Sequence, residues 1–335
     1  MLDDSSVTDI SSIFVMKSII DRYMIQNIGL DKFNSLFSLV TYFKDDERCK
    51  EFLTKQRWSD GDVICPYCGK HHCKRRADGK FRCSQCLRNF SVLVGTIFEN
   101  TKVSLVKWFI AMYHISSHKK GISSHQLARD LSITQKTAWY ILQKVRTLFG
   151  QENNVELSDN VECDEAYIGG QEKYKHASKK TEGTQGRSLK TKTPVFGMAE
   201  RKGKIIVKKT SNVQGKTLCD IINQFVKAGS RIFTDEYIGY NTLVESEYSH
   251  SVVNHGAKQF VDGDAHTNTI EGFWSQFKRS IFGIYHFISA KYLQRYVDET
   301  VFRYNTCKLD ESERFKMMFL KSIGVIRYND IKNVA

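Results

Sequence analysis

The chain has 335 residues, 41% hydrophobic and 26% charged, with 50 Lys and Arg against 37 Asp and Glu for a net charge of +13. That length predicts one catalytic domain with one or two small modules, and the composition excludes a disordered chain; no run approaches 18 uninterrupted apolar residues, so no membrane span is expected. The nine cysteines, four of them in CxxC pairs, point to a reducing compartment rather than a disulfide scaffold, and the apolar patch Ile13 to Ile20 fails as a signal peptide because Lys17 interrupts it and no small-residue cleavage site follows.

Taken in chain order, residues 1–60 read as a helical region whose beginning is poorly specified. From Phe37 to Trp58, the apolar Leu39, Val40, Phe43, Phe52 and Leu53 sit among charges as on one amphipathic helix, with Cys49 on its buried side. Residues 61–95 change character. Cys65-Pro-Tyr-Cys68 and Cys83-Ser-Gln-Cys86 form a CxxC-x14-CxxC pattern, in which two tight turns present four thiolates to one tetrahedral Zn²⁺. Four thiolates leave no open position, so this zinc is structural; Cys73, His71 and His72 are bystanders on the intervening loop. The ribbon also carries Lys74, Arg75, Arg76, Lys80 and Arg82, of which Arg75 and Arg76 are the foremost candidates to meet phosphates.

Residues 100–150 contain no proline and repeat apolar residues at helical spacing, predicting three helices. The last two have the cadence of a helix-turn-helix. Ser123 or Ser124 can cap the first and Thr134 the second, while Leu127, Ala128, Leu131, Ile133, Ala138 and Ile141 pack the pair together. That leaves Gln135, Lys136, Thr137 and Tyr140 on the outer face of the second helix, able to reach base edges and phosphates in a major groove.

After a polar linker, Gly150 to Asn160, the pattern turns to β: Val161 to Ile168, Pro194 to Ala199 and Lys204 to Thr210. A helix from Thr217 to Ala228 crosses to strands at Arg231 to Thr234 and Ser251 to Asn254, and helices follow at Asn268 to Ile281 and Ala290 to Tyr304. The class is therefore α/β with a mixed sheet and flanking helices over residues 158–306, leaving residues 307–335 as a C-terminal tail. Between Gln171 and Lys216 lie thirteen Lys or Arg against three Glu, a field that attracts polyanions, and Gln171 to Thr193 reads as a polar, basic insertion.

Three acids fall where a sheet can bring distant side chains together. Asp164 ends the run Val161-Glu-Cys-Asp, Asp235 directly follows the strand Arg231 to Thr234, and Glu271 opens a helix. Isolated acids are usually surface residues, but three converging carboxylates suit two Mg²⁺ or Mn²⁺ ions about 3.5–4 Å apart in phosphodiester chemistry. Lys278, two helical turns after Glu271, shares its face and can hold a DNA phosphate. His255 and His266 lie nearby as possible phosphate contacts. The aromatics Phe273, Trp274, Phe277, Phe282 and Tyr285 read as core rather than as a base-stacking platform.

The segments CDEAYIGG at 163–170, TDEYIGY at 234–240, HTNTIEGFWSQFKRSIFGIYH at 266–286 and RYVDETVFRYN at 295–305, with the ribbon, resemble bacterial insertion-sequence DDE transposases related to the eukaryotic Merlin elements. The resemblance spans roughly residues 35–306 and implies an RNase H-like catalytic domain acting on terminal inverted repeats, with Asp164, Asp235 and Glu271 as metal ligands. Asn268 is the alternative third ligand, although an anion offsets Mg²⁺ charge better than an amide. The expected partners are double-stranded DNA, both element ends and target, and at least one further copy of the chain, in a cytoplasmic, nucleoid-associated setting if bacterial. The rival readings are a nuclease that cuts without joining and a DNA-binding regulator derived from a transposase.

Overall fold

The computed structural model describes residues 33–152, 155–170, 175–184, 188–240, 247–253 and 266–322. It divides into two compact units, Met1–Lys107 with Glu311–Val325, and Trp108–Asp310 with Ile326–Ala335.

The first unit holds helices α1 (Leu36–Tyr42) and α2 (Asp46–Arg57), the short strands β1 (Cys73–Arg75), β2 (Phe81–Cys83) and β3 (Asn89–Phe90), and, from the far end of the chain, α9 (Glu311–Leu320). The single helix expected from Phe37 to Trp58 is in fact two. Asp45 takes extended backbone and accepts the Arg48 N–H at 2.8 Å, which starts a new helix whose first turn carries Asp46 and Glu47 against the positive end of its dipole. Phe43, at the break, stays fully buried and packs edge-on against Phe52 at 5.0 Å. Residues 311–320, expected to be tail, form a helix because Phe315, Met318 and Phe319 fall on one face, which joins the cluster of Phe33 and Phe52.

The second unit begins with α3 (Leu105–Ser117), which starts three residues before the unit boundary, followed by α4 (Ser124–Leu131) and α5 (Gln135–Arg146). Then come β4 (Asn160–Ile168), β5 (Thr193–Glu200), β6 (Ile205–Lys209), α6 (Gly215–Phe225), β7 (Arg231–Asp235), β8 (Ser249–Val253), α7 (Asn268–Ser280), a π-turn at Ile281–Tyr285 and α8 (Leu293–Asn305). The sheet order is β6-β5-β4-β7-β8, antiparallel from β6 to β4 and parallel from β4 to β8. Alternation along β4 divides the core. Val161 and Cys163 pack with Leu218 and Ile222 of α6, while Ala166 and Ile168 pack with Phe273, Phe277 and Val297 of α7 and α8.

The stretch Gly150 to Asn160 is not a free linker. Leu157 is fully buried, and its backbone bonds to Phe225 and Lys227 at 2.8 Å each, an isolated parallel bridge opposite Val226. The α5 helix is likewise tied into the sheet unit: Arg146 Nε donates to Glu299 of α8 at 2.6 Å, both side chains 1% exposed, and Arg303 joins the same carboxylate. Arg303 also donates to the backbone oxygen of His118 at 2.8 Å, next to the turn at Gly121, where φ is +96° and a Cβ would strike the Tyr285 hydroxyl. Of the expected basic insertion, residues 171–174 and 185–187 lie outside the described residues, as do Asn254 and His255. No helix among the described residues is long and apolar enough to cross a membrane.

Candidate active site and metal centre

The parallel pairing of β4 with β7 sets Asn160 against Arg231, Val161 against Ile232 and Glu162 against Phe233. Two residues further, the same register places Asp164 opposite Asp235. Their parity puts both on the α7 face, since Val161 and Ile232 belong to the α6 side. Glu271 comes from the first turn of α7, its carboxylate accepting the Thr267 hydroxyl at 2.9 Å. Asp164 feels the charge of both other acids. Burial, then the carboxylates of Asp235 and Glu271, push the Asp164 carboxyl up to about 7, against the opposing pull of the Glu165 backbone N–H and the Trp274 indole.

What ties the start of α7 to the sheet is a fourth acid, Glu162, on the same face of β4 as Asp164. It is fully buried and accepts the Thr269 and Ile270 backbone N–H groups at 2.7 and 3.2 Å and the Thr269 hydroxyl at 3.0 Å. Glu162 thereby satisfies the open N-terminus of α7, which lacks a side-chain cap of its own. Arg201 balances the charge at 2.8 Å and donates to the His266 carbonyl at 2.8 Å, and the His266 ring lies 3.0 Å from the same carboxylate. The helix also comes unusually close. Gly197 pairs with Asp164 across β4 and β5, and a Cβ there would sit 2.6 Å from the Trp274 ring and 2.7 Å from Ile270. Sequence reasoning passed over Glu162 and Gly197. The available signal was parity, because an acid two residues before Asp164 shares its face and cannot stay buried without donors.

Asn268, the first residue of α7, is exposed, as is Lys278 two turns on. Phe273, Trp274 and Phe277 are core, as expected, but Phe282 is 60% exposed.

Among the described residues, only Cys65, Cys68, Cys83 and Cys86 bring three or more ligand atoms within 4.8 Å of one another. Sγ–Sγ distances are 3.6 Å for Cys65–Cys86 and for Cys68–Cys83. Each pair sits in a tight turn: Gly69 N–H donates to the Cys65 carbonyl at 2.9 Å, and the Cys65 and Cys83 N–H groups donate to the carbonyls of Lys70 and Arg88. The residue after each pair takes positive φ, Gly69 at +69° and Leu87 at +59°. Cys73 pairs in register with Cys83 but its thiol turns to the Lys70 carbonyl at 3.9 Å, outside the quartet. The quartet fits a structural Zn²⁺, four thiolates around one soft ion. Asp164, Asp235 and Glu271 do not form such a close set, and their carboxylate oxygens are donors of the kind that hard divalent cations prefer.

In the helical module, Ser123 caps α4 and Thr134 caps α5. Gln135 and Lys136 are exposed, Gln135 reaching back to Ser124 at 2.8 Å; Thr137 is half-buried with its hydroxyl against Thr134 at 2.8 Å. Tyr140 is half-buried, its ring 5.6 Å from the Lys144 ammonium. Arg75 and Arg76 are exposed on the ribbon, Arg76 lying 3.4 Å from Asp78.

Residues 156–305 match the ISXO2-like transposase domain, and residues 44–89 match the transposase zinc-ribbon domain. A protein of transposable element ISH50 from Halobacterium salinarum, itself uncharacterized, is 29% identical over 255 residues, covering 72% of this chain and 84% of the relative. An uncharacterized transposase-like protein of Haemophilus influenzae is 33% identical over 98 residues, 29% of this chain and 78% of the relative. The pre-cleavage Mos1 transpososome aligns over 62% of this chain and 76% of that one at 13% identity, with a TM-score of 0.27, an overall agreement too low to bear on the fold. Ribbon and sheet domain together define a DNA transposase. The chain belongs to the insertion-sequence transposases that carry a zinc ribbon.

Proposed function

We propose that the chain cuts and joins DNA at the ends of its mobile element with a DDE site made of Asp164, Asp235 and Glu271. The observation that carries this reading is the convergence of the three acids under α7, close enough for each of the other two to raise the Asp164 pKa. Acids held that way repel one another, and a divalent cation such as Mg²⁺ or Mn²⁺ relieves the repulsion. The sheet order, three antiparallel strands followed by two parallel ones, with helices on both faces, supports an RNase H-like catalytic domain.

Bound cations would supply stabilisation of the entering and leaving oxygens of a phosphodiester displacement. The chain's own residues divide the remaining work. Asp164 and Asp235 hold the cation site from the sheet and Glu271 closes it from α7, in preference to Asn268, whose amide carries no charge to offset the metals. Glu162 and Arg201 keep α7 in register, and Lys278 holds a phosphate. Water attacks the phosphorus at the element's end and displaces the 3′-oxygen, freeing a 3′-hydroxyl; that hydroxyl then attacks a target phosphodiester and displaces the target strand's own 3′-oxygen. Helices α4 and α5 act as a helix-turn-helix, with Gln135, Lys136 and Thr137 toward base edges and Tyr140 at its margin, and Arg75 and Arg76 of the ribbon meet phosphates. Pairing two ends requires at least a dimer.

The test is to incubate the protein and Mg²⁺ with a labelled duplex of the inverted repeat flanking its own gene and a plasmid target. Cleaved ends and joined products support the transposase reading. Cleavage without joining favours a nuclease, and specific binding with neither favours a regulator.

A further inference from the structure

Beyond Asp164, the α7 face of the sheet opens into a cleft of about 800 Å³. Its floor is the end of β4, and its walls carry Lys175, Lys192 and Lys278 together with Phe282, Phe287 and Ile288. Two features set this cleft apart from ordinary surface. Phe282 and Phe287 are 60% and 70% exposed, whereas the two phenylalanines of the preceding α7, Phe273 and Phe277, are fully buried. Three lysines accompany them, while the one acid on the lining, Glu165, has its carboxylate engaged by the buried Tyr240 hydroxyl.

The backbone is shaped to present these rings. After Ser280 the helix widens into the π-turn Ile281–Tyr285, which throws Phe282 outward, and His286 follows at φ +58° before Phe287. Such turns interrupt a helix at an energetic cost and recur at functional sites. The position along α7 matters too. Glu271 and Lys278 are separated by about 10 Å along the helix axis at 1.5 Å per residue, and Phe282 follows one turn later. A DNA strand running from the acids along α7 passes Lys278 and then the two rings.

We propose that this cleft receives a nucleobase extruded from the duplex beside the scissile phosphate, its ring against Phe282 and Phe287 and its flanking phosphates held by Lys278, Lys192 and Lys175. Flat apolar rings and ammonium groups side by side are the complement of a nucleotide, apolar on its base faces and anionic on its backbone. A paired base cannot present its face to a protein ring, so occupancy requires the base to leave the stack, and stacking on phenylalanine offsets that cost. The proposal deepens the reading of the acids as a phosphodiester-cutting site and rests on it.

A base that must leave the stack does so more easily opposite a mismatch. The experiment is a set of inverted-repeat duplexes with a single mismatch walked across the positions flanking the cleavage site, their affinities measured by fluorescence anisotropy in Ca²⁺. The wild-type chain is expected to bind one or two adjacent mismatch positions about tenfold more tightly than the perfect duplex. Phe282→Ala combined with Phe287→Ala should bind all duplexes alike, and Phe282→Trp should keep the preference. Both rings are exposed, so the variants are expected to fold, and their melting temperatures check this. Specific binding and Mg²⁺-dependent cutting with no mismatch preference, or a preference that survives the double substitution, would overturn the cleft proposal alone. Absence of specific binding and cutting would overturn the transposase site first and this proposal with it.

Discussion

Asp164 and Asp235 stand at matching positions on two adjacent parallel strands, so both carboxylates leave the sheet on the face that α7 covers, where Glu271 adds its charge to that felt by Asp164. Their mutual repulsion predicts an unusual response to pH and metal. The folded pKa of Asp164, about 7, is above its ordinary 3.8, so the folded chain holds this proton more firmly than the unfolded one. The contribution to stability is complete below about pH 4 and is lost as pH rises toward 7. Asp164→Asn, neutral at every pH, is therefore expected to raise the melting temperature of metal-free protein at pH 8 by about 3 °C. Added Mg²⁺ should stabilise the wild type and leave the variant unmoved. Thermal melts with chelator and with Mg²⁺ make the comparison.

Glu162 is expected to behave as a positioning residue and not as a metal ligand. Glu162→Ala strands Arg201 and two backbone N–H groups of α7 in the interior, at a cost of about 3–5 kcal/mol seen in urea melts. Glu162→Gln keeps the shape and one acceptor. It is expected to fold, bind end DNA and cut about a hundredfold more slowly in single-turnover assays, because α7 no longer holds Glu271 in register.

Gly197 gives a steric version of the same test. Gly197→Ala brings a methyl into the Trp274 ring and Ile270, which lifts α7 off the sheet beside Asp164. The expected loss of stability is about 1–3 kcal/mol by urea melt, with cleavage reduced more than end binding.

Glu299 governs a different pH range. Although burial opposes its charge, Arg146 and Arg303 hold its carboxyl at about 2, below the ordinary 4.5. Its contribution is present above pH 4.5 and lost as pH falls toward 2. Glu299→Gln leaves two buried guanidinium groups without their anion and is expected to cost about 3–5 kcal/mol at pH 7. Circular dichroism against pH should show the variant less sensitive to acid between pH 4.5 and 2.

Much of this was legible from residue pattern. The strands at Val161, Pro194, Lys204 and Arg231 announce themselves as short apolar runs bounded by charge or glycine, and Asp235 marks where one of them ends, whereas Asp164, which the apolar run placed at a strand end, lies in the middle of β4. The zinc quartet is written in spacing alone. The break before Asp45 was encoded as a capping Asp ahead of Asp46 and Glu47, but the apolar periodicity across it concealed the turn. Arg146 and Glu299 were illegible for a stronger reason: 153 residues separate them, and no local period links a helix of the helical module to one packed on the sheet. The exposure of Phe282 depends on a π-turn, whose extra residue per turn leaves no mark in composition.

The most direct measurement of the account is single-turnover cleavage of the inverted-repeat duplex in Mg²⁺ by Asp164→Asn, Asp235→Asn, Glu271→Gln and Asn268→Ala, with end binding measured in parallel. The account predicts that the three acid variants bind DNA within about twofold of wild type yet lose cutting by about a thousandfold or more, while Asn268→Ala retains it. Cutting at the wild-type rate by any of the acid variants, or its loss only in Asn268→Ala, would contradict it.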